Sequence, residues 1–239
     1  MKQLYLVANW KSNKTPAEAI EWLQNVKCQM SRLHLPSATA DGGQTNAKFS
    51  NNIKIILCAP FTVLSVLKTE IEKAASPIHL GAQDISPFGG GAYTGEINAD
   101  MLKGLVEYVL VGHSERRKYF QEKEEELNFE VLQSHSADFQ IIYCIEKENA
   151  YVPASVDIIA YEPIVSIGSG KAEDSKSANI VCGKITQRNG QKPVLYGGSV
   201  TEKNIREFVS QPSIAGVLVG GASLDPERFF QMIQAVSSL

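Results

Sequence analysis

The sequence predicts a (β/α)8 barrel, and three observations carry that prediction. Eight short apolar runs recur along the 239 residues: LYLVA, IKIILC, IHLGA, YVLVG, QIIYC, DIIAY, PVLYG and GVLVG. Each is continuously apolar rather than alternating, as suits parallel strands covered on both faces. Segments with helical spacing separate most of them, and eight such units in about 240 residues match the size of this barrel class. An open doubly wound sheet is the alternative, but no GxGxxG follows the first strand. Residues 1–239 therefore read as one barrel domain.

Taken in order, the first run lies in MKQLYLVANWK and turns polar at Asn9. It is too short for a signal-peptide core and reads as the first strand. Thr15-Pro16-Ala17-Glu18 opens a helix, with a cap residue, a proline in the first turn and an acid behind it. Residues 33–52, LHLPSATADGGQTNAKFSNN, are polar and rich in turn formers, and read as a surface insertion or mobile loop without a functional role. After the fourth run, SERRKYFQEKEEEL reads mostly as a solvated helix face. Only twelve residues, IEKENAYVPASV (145–156), join the fifth run to the sixth, and Pro153 sits among them. A parallel crossover needs a dozen residues or more, usually with a full helix. At most a turn or two of helix is expected here, leaving a gap in the outer ring. Thr201-Glu202-Lys203 and Asp225-Pro226-Glu227 open two further helices.

Composition excludes several classes of function. With 23 basic against 26 acidic residues the net charge is −3, and the lack of a basic block argues against a nucleic-acid partner. No apolar run approaches the roughly 20 residues that span a bilayer, so no membrane association is expected. Cys28, Cys58, Cys144 and Cys182 show neither CxxC spacing nor clustering, which suits free thiols in a reducing cytoplasm. No set of His, Cys and carboxylates has metal-ligand spacing, so the active site is expected to be free of metal and of any other cofactor.

In a barrel of this class the chemistry collects just beyond the C-terminal ends of the strands. Those ends supply Asn9, Lys11, Gln83, His113, Glu115, Glu162, Gly197-Gly198-Ser199 and Gly220-Gly221. Alone, a strand-end glutamate is commonly a surface ion-pair partner, a single histidine before a charged helix is commonly structural, and GGS or GGAS is a weak motif. Together they describe one mouth. Glycines after the seventh and eighth strands let backbone N–H groups approach an anion, and barrels commonly bind phosphate there. A carboxylate with an imidazole in reach suits proton movement beside a carbonyl. His34, His79 and His135 lie in connections or near strand starts and receive no role.

Six segments then resemble one family. They are NWK (Asn9–Lys11), GAQD (Gly81–Asp84) with GAYTGE (Gly91–Glu96), VGHSERR (Val111–Arg117), AYEPIVSIGSGK (Ala160–Lys171), YGGSV (Tyr196–Val200) and VGGASL (Val219–Leu224). In this order, over nearly the whole chain, they resemble the triosephosphate isomerases, TIM-barrel enzymes that serve glycolysis and gluconeogenesis. That family is a standard illustration of a glutamate base beside a neutral histidine, and of a loop that closes over its substrate.

The resemblance implies interconversion of dihydroxyacetone phosphate and D-glyceraldehyde 3-phosphate through an enediolate, without a cofactor. It makes Glu162 the base and His113 the neutral electrophile. Lys11 is then the positive charge, Asn9 an orienting group, and Glu115 a partner of Lys11 or a participant in proton handling. Backbone N–H groups of Gly168, Ser199, Gly220 and Gly221 would hold the phosphate. Pro163, Ile164, Val165, Ser166, Ile167, Gly168, Ser169, Gly170 and Lys171 would form the lid, latched through Tyr196 and Ser199. Lid closure would press Ile167 and Leu218 around Glu162, raising its pKa, and would exclude water from the enediolate. Thr94, at the tip of the third loop, would reach into a partner subunit, with Ser12 and Gln83 at the same interface of a homodimer.

Four departures from the family pattern accompany the match. The fifth crossover is short, and Tyr151 and Val152 are expected to cover the apolar surface beside it. Val165 stands where the first lid hinge usually has tryptophan, and Lys171-Ala172-Glu173 is a variant second hinge, so a more mobile lid is expected. Ser12 replaces an interface methionine, which points to a weaker or more hydrated dimer. Asp84 replaces a frequent asparagine, with no loss of activity expected.

Overall fold

A computed structural model of the chain describes residues 2–33, 52–163 and 173–238. Most of the 33–52 insertion and the lid residues Ile164, Val165, Ser166, Ile167, Gly168, Ser169, Gly170 and Lys171 lie outside the described residues.

All eight apolar runs form strands: β1 (Leu4–Asn9), β2 (Ile53–Ala59), β3 (Ile78–Ala82), β4 (Tyr108–Val111), β5 (Gln140–Ile145), β6 (Ile158–Tyr161), β7 (Val194–Tyr196) and β8 (Gly216–Val219). Each pairs in parallel with the next, and β8 returns to β1, so the barrel is closed. The closing register sets Tyr5 against Gly216 and Val7 against Leu218. A side chain at Gly216 would collide with the Tyr5 backbone, so the residue must be glycine for the seam to close.

Why the runs are apolar throughout follows from two separate cores. Val7, Ile56, Leu110, Ile142, Ala160, Leu195 and Leu218 pack together inside the barrel. Their alternating neighbours, among them Leu6, Ala8, Ile55, Leu57, Val109 and Val111, pack outward with helical residues. A strand in that position has no solvent face to make polar. Each fully buried aliphatic side chain contributes roughly 1.5–3 kcal/mol of transfer free energy.

The outer layer comprises α1 (Pro16–Leu33), α2 (Phe61–Lys73), α3 (Ala99–Leu102), α4 (Ser114–Tyr119), α5 (Glu124–Ser136), α6 (Ser175–Arg188), α7 (Ile205–Val209) and α8 (Pro226–Ser237). At α1 the expected start is realised: the Glu18 carboxylate accepts from the Thr15 N–H at 2.7 Å. At α8 the Asp225 carboxylate accepts from the N–H groups of Glu227 and Arg228. Trp22 of α1 stacks edge-on against Trp10 (4.9 Å) and packs on Phe229 of α8 (5.3 Å). Its indole N–H donates to the Ser223 carbonyl at 3.1 Å. This cluster fixes the segment that carries Asn9 and Lys11.

Three expectations need correction. Thr201-Glu202-Lys203 is a turn, and α7 starts only at Ile205. Asn204 folds back so that its side chain accepts from the Thr201 N–H at 2.7 Å, closing that turn before the helix can begin. SERRKYFQEKEEEL is not one solvated helix face but two helices broken at Gln121, whose φ is 59°. Arg116 and Arg117 turn inward there to meet Glu122 and Glu124. At the fifth crossover, residues 146–157 contain no helix, as the short spacing requires. Val152 and Pro153 cover the core at that point, but Tyr151 does not, because it is 63% exposed. The Lys192 ammonium pins the segment instead, donating to the carbonyls of Ala154 (3.0 Å) and Val156 (2.6 Å).

Candidate active site

The strand ends converge on a cleft of about 400 Å³. Asn9, Lys11, His113, Glu162, Gly197, Gly198, Ser199, Leu218, Gly220 and Gly221 line it, so the sequence-derived mouth is assembled almost completely.

Lys11 is held in an uncommon backbone conformation, with φ at 55°. Three bonds impose it. The Asn9 carboxamide oxygen accepts from the Lys11 N–H at 3.0 Å. The Gln83 amide donates to the carbonyls of Lys11 (3.1 Å) and Cys58 (3.0 Å). Gln83, which the resemblance assigns to an interface, therefore uses its amide to hold a lysine of its own chain. The Lys11 ammonium meets the Glu115 carboxylate at 2.5 Å, the pairing expected for Glu115.

His113 follows Gly112, whose φ of 69° turns the chain from β4 into α4. The Arg117 guanidinium holds that turn through the Gly112 carbonyl at 2.8 Å. His113 caps α4: its Nδ1 accepts from the Glu115 N–H at 3.2 Å. With Nδ1 an acceptor, the neutral ring carries its proton on Nε2. The Glu115 carboxylate lies 3.7 Å from Nδ1. Nε2 points at Glu162 Oε1, 2.9 Å away.

Glu162 is buried just past β6. Its other oxygen, Oε2, accepts from the Ser114 N–H at 3.0 Å. Burial alone would push its carboxyl up, but the hydrogen bonds from His113 and Ser114 hold it below the usual glutamate range. The resemblance sets the expected rise on contact with both Ile167 and Leu218. Of that pair only Leu218 lies within the described residues, where it lines the cleft.

Two glycines of the seventh strand end are required by close approach. A Cβ on Gly197 would stand 2.8 Å from the Glu162 Cγ, and one on Gly198 would overlap the Tyr196 ring. The Tyr196 hydroxyl accepts from the Glu173 N–H at 3.0 Å, just before α6. Its ring stacks on Phe208 with centroids 4.4 Å apart. Ser199 is tied through its carbonyl to the Asn204 amide at 3.1 Å.

Sequence reasoning missed Thr201 and Arg228, which also line the cleft. Arg228 pairs with Glu202 at 2.9 Å. The available signal was its place in the first turn of α8, next to the Gly220-Gly221 wall. Thr94 and Ser12 are both exposed, and beside Thr94 the exposed rings of Phe88 and Tyr93 stack at 4.3 Å.

Comparison with known proteins agrees with this geometry. The family model described as Triosephosphate isomerase matches residues 4–155 and 147–236, in two pieces that overlap at the shortened crossover. A protein named Triosephosphate isomerase from Dehalococcoides mccartyi is 38% identical over 96% of this chain and 94% of its own length. A Synechococcus protein of the same name is 38% identical over 98% of this chain and 97% of its own. One from Mesomycoplasma hyopneumoniae is 36% identical over 98% and 99%. The closed barrel, the order of the motifs and these near full-length likenesses lead to one assignment: the chain belongs to the triosephosphate isomerase family.

Proposed function

We propose that this chain interconverts dihydroxyacetone phosphate and D-glyceraldehyde 3-phosphate through an enediolate, without a cofactor. The observation that carries the reading is the meeting of Glu162, His113 and Lys11 over one glycine-walled cleft. The Glu162 carboxylate takes a proton from the carbon beside the substrate carbonyl, and the C–H electron pair becomes the enediolate double bond. Negative charge grows on the carbonyl oxygen, where the His113 Nε2–H and the Lys11 ammonium stabilise it. His113 exchanges protons with the two oxygens, and Glu162 returns its proton to the neighbouring carbon. The one Nε2–H of His113 faces Glu162 Oε1 in the described arrangement, so substrate binding must turn it to the carbonyl oxygen. Asn9 orients the oxygens.

The phosphate dianion lies against the N–H groups of Ser199, Gly220, Gly221 and Gly168, with Lys11 opposite. Pro163 to Lys171 acts as the lid. Its closure brings Ile167 and Leu218 onto Glu162 and excludes water, which protects the enediolate from phosphate loss. Tyr196 and Ser199 latch the lid. The exposed Phe88–Tyr93 stack supports a homodimer in which Thr94 and Ser12 meet a second copy. Three buried free cysteines support a reducing, cytoplasmic setting.

The test is Glu162→Gln, assayed by coupled turnover of both substrates. kcat should fall by about 10²–10⁴-fold, while phosphoglycolate binding stays within a few-fold of the parent. Unchanged turnover would refute the assignment of the base. The depressed Glu162 pKa adds a stability check. Its contribution is present above the ordinary glutamate pKa and is lost as pH falls through the depressed value. The glutamine variant should therefore lose less stability over that acid range. Run as a dilution series beside sedimentation, the parent's activity should fall as dimers dissociate; full activity in a demonstrated monomer removes the dimer proposal.

A further inference from the structure

Three acidic side chains from separate parts of the chain converge behind the mouth. Asp84 follows β3, directly after Gln83. Glu122 lies in the turn between α4 and α5, and Glu130 lies on the buried face of α5. One carboxylate oxygen from each comes within 4.8 Å of the other two. Arg116 is the one cation that pairs with the group among the described residues, bonding Asp84 Oδ2 at 2.7 Å and Glu122 Oε1. Three carboxylates against one guanidinium leave a formal charge of two negatives.

We propose that Asp84, Glu122 and Glu130 form a binding site for one hard divalent cation of the Ca²⁺ type. The independent observation is the state of their remaining oxygens. Asp84 Oδ1, Glu122 Oε2 and Glu130 Oε2 are all buried and have no hydrogen-bond partner among the described residues. Glu130 is the sharpest case, because its side chain is sealed inside the fold with only 2% of the residue exposed. Buried carboxylates ordinarily meet a hydrogen-bond donor, a cation or a metal. Hard oxygen donors and a surplus of two negative charges select a hard dication over a soft metal. Ca²⁺ takes carboxylates in a flexible cage, whereas Mg²⁺ keeps several waters and is seldom held by protein groups alone, so three carboxylates with buried oxygens favour Ca²⁺. Protons shared among these acids are the competing way to relieve the repulsion. The site is not the catalytic cleft, but it adjoins it: Asp84 follows the residue that holds Lys11, and Arg116 lies on the helix capped by His113.

The test is isothermal titration of the full-length, metal-stripped protein with CaCl₂, MgCl₂ or MnCl₂ in separate arms. Potassium chloride of equal ionic strength serves as the control. About one Ca²⁺ per chain should bind saturably. The melting temperature should rise by roughly 5–10 °C at a free Ca²⁺ concentration about 100 times the dissociation constant. Glu130→Gln should weaken binding at least tenfold and cut that rise to about half or less, and Asp84→Asn gives the same reading should the first variant fail to fold. No saturable uptake of Ca²⁺ up to about 5 mM overturns the proposal, as does unchanged Ca²⁺ binding in whichever variants fold. Uptake of Mg²⁺ or Mn²⁺ with none of Ca²⁺ defeats the choice of ion and overturns it too.

Discussion

The barrel mouth and the outer wall between β5 and β6 are built to different tolerances. At the mouth, Asn9, Lys11, His113 and Glu162 each hydrogen-bond to, or pair with, another residue, and Gly197 cannot gain a single carbon without striking Glu162. On the wall, a crossover that ordinarily carries a helix is reduced to residues 146–157. Val152, Pro153 and Val156 cover the core there, and two hydrogen bonds from Lys192 secure the segment. Phe129 and Leu132 of α5 and Ile180 of α6, the helices on either side of the gap, stay exposed. Catalysis depends on atom positions to within a fraction of an ångström, whereas covering a strand needs only enough apolar area. One requirement falls on the ends of the strands and the other on their outer faces, so one can erode while the other is kept.

Substitutions can break this contrast or sharpen it. The largest expected effect comes from His113→Gln, which keeps a side chain of similar size but loses the imidazole. kcat should fall by about 10²–10⁴-fold with the melting temperature nearly unchanged. A loss of fold instead of turnover would mean that the mouth is structural. Next in size is Val156→Ala, under the shortened crossover, where the side chain is fully covered. Stability should drop by about 1–3 kcal/mol, read by urea titration, with kcat per folded molecule unchanged. A matching fall in kcat would show that the wall and the mouth are coupled. The smallest change is expected from Tyr151→Ser, since that ring faces solvent. A shift beyond about 0.5 kcal/mol would show that Tyr151 covers the gap after all.

The strands and the mouth were legible because each is written in contiguous residues. A run buried on both faces has to be apolar throughout, and a residue at its end has to face the cleft, so Glu162, His113 and Lys11 could be located from position alone. Tertiary encounters were not legible in the same way. Asp84, Glu122 and Glu130 are separated by up to 46 positions, and nothing local marks them as neighbours. Nor could spacing reveal that Gln83 reaches back to Lys11, or that Asn204 delays α7 by folding onto Thr201. The inward turn of Arg116 and Arg117 was hidden for a further reason: a charged helix reads as solvated until its partners prove to lie beyond its end, Glu122 in the following turn and Glu124 at the start of α5.

The brevity of the β5–β6 crossover also bears on how readily the chain closes. Loop-closure entropy changes by only about 0.6 kcal/mol for each halving of length. Even so, the twelve residues between Ile145 and Ile158 are far fewer than the forty-three between Asn9 and Ile53. Of these two parallel seams, β5–β6 is therefore the one whose strands find each other at the lower entropic cost. The lost helix takes away buried area, and the shorter tether returns part of that stability through the unfolded chain.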